Sequence, residues 1–356
     1  MAEDEGTRAA TIFDVARLAG VSHQTVSRVL NGLPNVRPAT EQRVREAIAQ
    51  LHYSPSPAAR ALVTRRTRTI GLITPNNVDH GPASIAMHVN IAAREARYSV
   101  DAVSTAGADA SAVRASIEAL LRQRVDAVVV VVADVPALEV VSAIDVSVPV
   151  VASASVPRPG PRIVSIDQYR GARAAVAHLA EQGHTRILHV AGPAGAPDAN
   201  ERVRGWRDEL AARRLEIIEP EHGDWTAASG FGIGGTLDLP HGSAVFVSND
   251  QMAIGLMSAL RQRGLHVPED VSIVGFDDIP EAGYLFPPLT TVRQDFAALG
   301  RAIVQKVLVA LDADGEETID TPLPAQLVVR ESTRPVGPAD DAATPTSDAS
   351  TGAPRA

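Results

Sequence analysis

Apolar side chains recur at helical spacing three times between residues 11 and 53. The first run opens at Thr11, with Asp14 three residues on as a variant of the Ser/Thr-x-x-acid start signal, and closes at Gly20, which can take the left-handed turn that stops a helix. Ser22 caps a second run ending at Leu30, before Asn31-Gly32. A third starts at Thr40, after Pro38, and sets Val44, Ala47, Ile48 and Leu51 on one face. Two short helices joined by a tight glycine turn, with a third supporting them, predict an all-α helix-turn-helix over residues 10–54, with Val15, Leu18, Val26 and Leu30 in its core.

From residue 67 the periodicity changes to short β-branched runs alternating with amphipathic stretches. Strands are predicted at Ile70–Thr74, Ala127–Val132, Val148–Ala152, Arg162–Ile166, Arg186–Val190, Ala244–Ser248 and Ser272–Phe276, with helices such as Ala110–Arg122, Tyr169–Gln182, Arg202–Arg213 and Gln251–Arg263 between them. This alternation means doubly wound parallel sheets in an α/β core over 67–335. Such a length exceeds what one sheet of this kind usually holds, so two lobes are expected. The break Tyr53-Ser54-Pro55-Ser56-Pro57 opens a linker at 55–66. Residues 1–9 and 336–356 lack the large apolar side chains a core needs and read as disordered ends.

Charge sharpens the division. The chain carries a formal net charge of −9, yet Thr7 to Arg68 holds ten arginines against three acids, a net of +7, which leaves −16 for the remainder. A basic module on an acidic body suits a protein that touches phosphate with one end. The sequence has no cysteine, so no disulfide and no thiolate metal site. The acidic start MAEDEGTRAA is no signal peptide, and no apolar run is long enough for a membrane span, so a cytoplasmic protein is expected. No HExxH, G-x-S-x-G, P-loop or paired-histidine metal motif occurs, and AGPAGAP lacks the GxGxxG spacing. The reading is a non-enzyme without cofactor or metal.

The segment TIFDVARLAGVSHQTVSRVLNG resembles the opening helix-turn-helix of the lactose repressor/galactose repressor (LacI/GalR) family, and HLAEQGHTRILHVAGP, PEDVSIVGFDDIP and PPLTTVRQDFAALG resemble its core signatures in the same order. VSHQTVSRVLN, EHGDWTAASGF and VSNDQMAIG are similar to its lactose-repressor branch in particular. The resemblance implies a sequence-specific repressor of a carbohydrate operon, bound as a homodimer to palindromic double-stranded operator DNA and released by a small sugar inducer. It implies a periplasmic-binding-protein-like core with three strands crossing between the lobes, near 160–166, 289–293 and 320–325. Lobe 1 would then span about 67–162 and 293–321, and lobe 2 about 163–290 and 324–332. A ligand that strengthens DNA binding instead stays open, as does a sugar-binding protein with no DNA role. Tetramers in the family use a C-terminal leucine heptad; residues 335–356 contain no leucine, isoleucine or phenylalanine, so a dimer is expected.

The same resemblance assigns base reading to His23, Gln24 and Arg28. A glutamine can pair with adenine and an arginine with guanine in bidentate fashion. Ser22, Thr25, Ser27 and Asn31 carry hydroxyl or amide groups suited to phosphate, although Ser22 also reads as a plain helix cap. SPAARALVTRR corresponds to the family's minor-groove segment, with Leu62 at the wedge position and Ala59 beside it. At the ligand end, family positions that bond sugar hydroxyls fall on Arg202, Asn249, Asp277 and Gln294, with Trp225 and Phe296 as aromatic walls. VVVVVADVP and VPVVASASVP depart from the lactose branch, offering valines, Ser153, Ala154 and Ser155 where it has an asparagine and an aspartate. A β-galactoside or other disaccharide is the effector these positions suggest.

Overall fold

The structure is a computed structural model that describes residues 10–30, 34, 36–53, 66–75, 79–105, 110–156, 160–240, 242–312, 314–316 and 318–336. Asn31, Ala59, Leu62 and the stretches 1–9 and 337–356 of the ends read as disordered lie outside the described residues, whereas Val336 donates its N–H to the Gln182 carbonyl at 2.8 Å. The chain divides into two units, residues 1–68 and 69–356.

In the first unit, α1 (Ile12–Ala19) begins at a reciprocal cap. Asp14 N–H donates to the Thr11 hydroxyl at 3.4 Å, and Thr11 N–H donates to the Asp14 carboxylate at 2.9 Å. Gly20 ends the helix at φ 63°. In α2 (His23–Leu30), Ser22 Oγ accepts from Thr25 N–H at 3.2 Å. Helix α3 (Pro38–Gln50) starts two residues before the expected Thr40, because the N–H that proline lacks would have no partner in a first helical turn. Val15, Val26 and Val44 are fully buried between the helices. Leu18 corrects the expected core: it falls outside the arc of α1 that Val15, Ala16 and Ala19 bury, and is 46% exposed.

The second unit holds two parallel sheets. The first contains β1 (Thr69–Pro75), β2 (Ser99–Thr105), β3 (Ala127–Val131), β4 (Val150–Ser153) and β5 (Ile163–Val164), in the order β2-β1-β3-β4-β5, with α4 (His80–Glu95), α5 (Ala110–Arg122) and α6 (Val135–Ala143) in the connections. The second contains β6 (Ile187–Ala191), β7 (Glu221–His222), β8 (Ala244–Val247) and β9 (Ser272–Val274), in the order β7-β6-β8-β9. Its helices are α7 (Gln168–Glu181), α8 (Pro197–Arg213), α9 (Ala227–Thr236) and α10 (Asp250–Gln262). A short antiparallel pair, β10 (Thr291–Arg293) and β11 (Gln326–Val328), lies beside the second sheet.

The chain passes between the two sheets three times. It leaves the first after β5 and returns after β10, so that α11 (Phe296–Leu311) packs Leu299, Ile303 and Val307 with Ile70 and Val129 of the first sheet. It leaves again at Leu323, whose N–H donates to the Ser165 carbonyl and whose carbonyl accepts from Asp167 N–H, both at 2.8 Å. Two of the three passages therefore run side by side.

Several elements went unread in the sequence, among them β2, β7, α4, α6, α9 and α11. Strand β2 is a sheet edge with alternating polar residues, so its apolar signal is weak. Helix α9 is AASGFGIGGT, a string of glycines that reads as a loop. Each glycine costs a helix about 1 kcal/mol relative to alanine. What α9 gains is close approach to α10. A Cβ on Gly255 would lie 1.8 Å from the Ala227 carbonyl oxygen, and one on Gly230 would lie 2.1 Å from that of Met252. Gly235, on the exposed side, has nothing within 4 Å. These two environments predict opposite signs. Gly255→Ala should destabilise the core by about 1–3 kcal/mol through overpacking, whereas Gly235→Ala should stabilise it by up to about 1 kcal/mol. Urea denaturation followed by circular dichroism checks both, and a shift of the same sign in the two variants contradicts the packing account.

Candidate functional site

Two constellations of predicted residues are on show, one in each unit. In the first unit, Ser22, His23, Gln24 and Arg28 are exposed, and Thr25 and Ser27 are half-buried. His23, Gln24, Ser27 and Arg28 share one face of α2, opposite Val26 and Val29, which anchor the helix in the core. Packing from behind leaves this face open to solvent. Arg28 Nη2 donates to the Pro34 carbonyl at 2.6 Å, which holds the guanidinium near the end of α2. The Phe13 ring lies 5.2 Å from the His23 imidazole. Ser22 does cap the helix, as its plain reading had it.

In the second unit, the six residues expected at the ligand end line one cleft between the sheets, with about 820 Å³ of space including its open mouth. They arrive from five segments: Arg202 from α8, Trp225 ahead of α9, Asn249 ahead of α10, Asp277 after β9, and Gln294 and Phe296 after β10. Asn249 is a helix cap as well. Its Oδ1 accepts from Met252 N–H at 3.0 Å, and its Nδ2 donates to the Trp225 carbonyl at 3.0 Å, fixing the indole's backbone. The indole lies on Gly192, where a Cβ would sit 2.2 Å from its ring. On the other side the wall is made by Val131, Val132 and Ala154 with Ser153 and Ser155, so β3 and β4 present methyls and hydroxyls to the cleft.

A closed ring of buried polar groups forms one wall. Arg202 Nε donates to Gln168 Oε1 at 2.9 Å, Gln168 Nε2 to Gln294 Oε1 at 2.7 Å, and Gln294 Nε2 to Asp277 Oδ1 at 2.6 Å. Arg202 Nη2 closes the ring, 3.7 Å from the same Asp277 oxygen, and its Nη1 donates to the Ser248 carbonyl. The guanidinium lies over the Phe276 ring at 3.9 Å.

The chain is similar to known proteins in both units. Residues 11–56 match the model for bacterial regulatory proteins of the lacI family, and residues 176–333 match the periplasmic binding protein-like domain. The lactose operon repressor of Escherichia coli K12 is 33% identical over 91% of this chain and 90% of its own length. The crystal structure of the Lac repressor dimer bound to operator and an anti-inducer superposes with a TM-score of 0.82, at 33% identity, over 92% of this chain and all of that one. A transcriptional regulator CelR in complex with cellobiose gives a TM-score of 0.66 at 31% identity, over 91% of this chain and 99% of that one. The chain belongs to the lacI family. It is a DNA-binding transcriptional regulator with the family's helix-turn-helix and two-lobed α/β core, and its relatives are repressors rather than enzymes. No helix among the described residues of this lacI-family protein is long and apolar enough to cross a membrane.

Beneath the cleft, Asp250 ties three segments together. Its carboxylate accepts from Ile279 N–H at 2.9 Å and from the Thr291 hydroxyl at 2.6 Å, and it packs where a Cβ on Gly275 would come within 2.2 Å. Burial, with Asp277 close by, pushes its pKa up to about 8. Burial also raises Asp277, against the pull of Arg202. His189, stacked on Phe246 with ring centroids 4.6 Å apart, donates its Nδ1–H to the Phe246 carbonyl, and burial lowers its pKa to about 3. Gln168, Asp250 and the Ser248 carbonyl were missed in the sequence. Gln168 sits one residue into a helix among ordinary polar neighbours, and a carbonyl leaves no side-chain signal.

A carboxyl group that holds its proton to about pH 8 in the fold, but loses it near 3.8 when unfolded, favours the native state at low pH; that advantage declines as pH rises from 3.8 to about 8. His189 acts in the opposite sense between about 3 and 6.5, so Asp250 shows most clearly from 6.5 to 8. In that window wild-type stability should fall with pH, and Asp250→Asn, which can donate to Thr291 and accept from Ile279, should fall less. Urea midpoints at several pH values measure this; parallel slopes in the two proteins would show that Asp250 is ionised throughout.

Proposed function

We propose that this chain is a homodimeric, cytoplasmic repressor that reads a palindromic operator with α2 and releases it when a small sugar occupies the cleft. The observation that carries the reading is the convergence of Arg202, Trp225, Asn249, Asp277, Gln294 and Phe296, far apart in sequence, on one cleft beside the passages between the sheets. Planar amide, guanidinium and carboxylate groups bond pairs of sugar hydroxyls, while an indole face accepts the C–H side of a pyranose. The CelR–cellobiose structure shows a relative of similar length holding a disaccharide.

At the other end, His23, Gln24 and Arg28 contact base edges in the major groove, and Ser22, Thr25, Ser27 and Asn31 contact phosphate. Ala59 and Leu62, in the linker, act in the minor groove. Sugar bound against both walls favours one closure state of the lobes, and the linker 55–66 carries that preference to the DNA-binding unit. Coupling of this kind is typically about 1–3 kcal/mol and is reciprocal, so operator DNA weakens the sugar's affinity by the factor with which the sugar weakens operator binding.

Two measurements test the reading. Arg28→Ala should cost about 1–3 kcal/mol on the specific operator and relax preference at one base pair per half-site; equal losses on operator and random DNA would reduce Arg28 to a phosphate contact. Asp277→Asn keeps an acceptor for Gln294 and should abolish the sugar response while leaving ligand-free operator affinity within about twofold of wild type. Operator binding by that variant, with and without each sugar that releases the wild type, decides the point: an unchanged response would remove Asp277 from the site.

A further inference from the structure

We propose that the cleft takes an uncharged polyol and rejects phosphorylated or carboxylated sugars, with Gln168 as the specificity-determining residue that keeps Arg202 from pairing with an anion. This rests on the reading of the cleft as the effector site. Three carboxylates line it, those of Asp79, Asp198 and Asp277, against one guanidinium and the imidazole of His80. A hydroxyl can donate to a carboxylate, whereas a phosphate dianion can only accept and meets like charge.

Arg202 is the group an anion would seek, and each of its nitrogens already has a protein partner, so that only two of its five N–H groups are left for a ligand. Nε is held by Gln168 at 2.9 Å, Nη1 by the Ser248 carbonyl, and Nη2 lies 3.7 Å from Asp277, while Phe276 covers one face at 3.9 Å. The side chain is 4% exposed. Gln168 is itself locked. Its Nε2 donates to Gln294 at 2.7 Å, so turning the amide over would set an NH2 against Arg202 Nε–H and an oxygen against the Gln294 oxygen. An anion at Nε would have to displace Gln168, break the link to Gln294 and lie beside Asp277. A neutral polyol can leave the ring intact and hydrogen-bond along its open side.

The test uses the full chain and paired probes: glucose, galactose, lactose and cellobiose, each with its 6-phosphate, screened by thermal shift and then titrated by calorimetry. The expected result is a neutral sugar that binds wild type at least about 100-fold more tightly than its phosphate. Gln168→Ala should narrow that ratio by about tenfold or more, because Arg202 Nε regains a donor for the anion. Gln168→Glu, which keeps the acceptor for Arg202 and adds charge but gives up the donor to Gln294, should preserve or widen it, and serves where Gln168→Ala fails to fold. A phosphate bound as tightly as its parent sugar in wild type overturns the uncharged-ligand assignment while leaving the cleft as effector site. An unchanged ratio in Gln168→Ala, or a narrowed one in Gln168→Glu, overturns the role of Gln168. If none of the eight compounds binds, the effector-site reading falls, and this inference with it.

Discussion

Burying a guanidinium is the constraint around which the cleft is organised. Arg202 is out of water, and a cation in that position is tolerated only when its nitrogens find acceptors and its charge finds a partner. The acceptors come from separate places in the chain: the first turn of α7, the end of β8 and the loop after β9. Satisfying one side chain therefore fixes the relative positions of three segments. Gln294 ties the segment after β10 to the same group. The passages between the lobes are thus anchored to the cleft wall, so that anything altering the wall bears on the segments that join the lobes.

The backbone around this group is held in costly conformations. Trp225, Asp277 and Asp278 have φ of 73°, 113° and 55°, values that residues with a Cβ adopt rarely. Such strain persists where the surroundings over-determine it, and the ties are visible. Asp278 is gripped by Arg293 and Arg330, each at 2.6 Å. Asp250 holds Ile279 N–H, and Asn249 holds the Trp225 carbonyl. Gly192 and Gly275 yield the space that the indole and the Asp250 carboxylate occupy. Each of the strained residues is thus held by a partner from another segment of the chain.

Much of the fold was legible because its signals are local. A threonine and an aspartate three apart, a glycine at a helix end and five valines in a row need no tertiary context, and α1, α2 and β3 lie within a residue or two of their expected bounds. The unread elements depend on partners. Helix α9 exists because α10 offers a surface against which only glycines fit, and β2 because β1 supplies a hydrogen-bonding edge. Leu18 was misplaced because a short helix against small neighbours buries a narrower arc than its apolar content suggests. At the cleft, Arg202, Trp225, Asn249, Asp277, Gln294 and Phe296 were found through motifs rather than through pattern. Gln168 carried no motif, and its importance follows from which groups the fold brings to it.

The chain's two tryptophans sit in opposite surroundings. Trp206 is fully buried, with its Nε1–H donating to the Ile187 carbonyl at 3.1 Å, and does not line the cleft. Trp225 lines the cleft, 5.4 Å from the Arg202 guanidinium, and is half-buried. Emission from Trp206, out of reach of a ligand in the cleft, should serve as a steady background. Emission from Trp225 responds to whatever displaces water from its face or shifts the neighbouring charge. The protein therefore contains its own optical gauge of cleft occupancy, with an internal standard on the same chain and no label to disturb either.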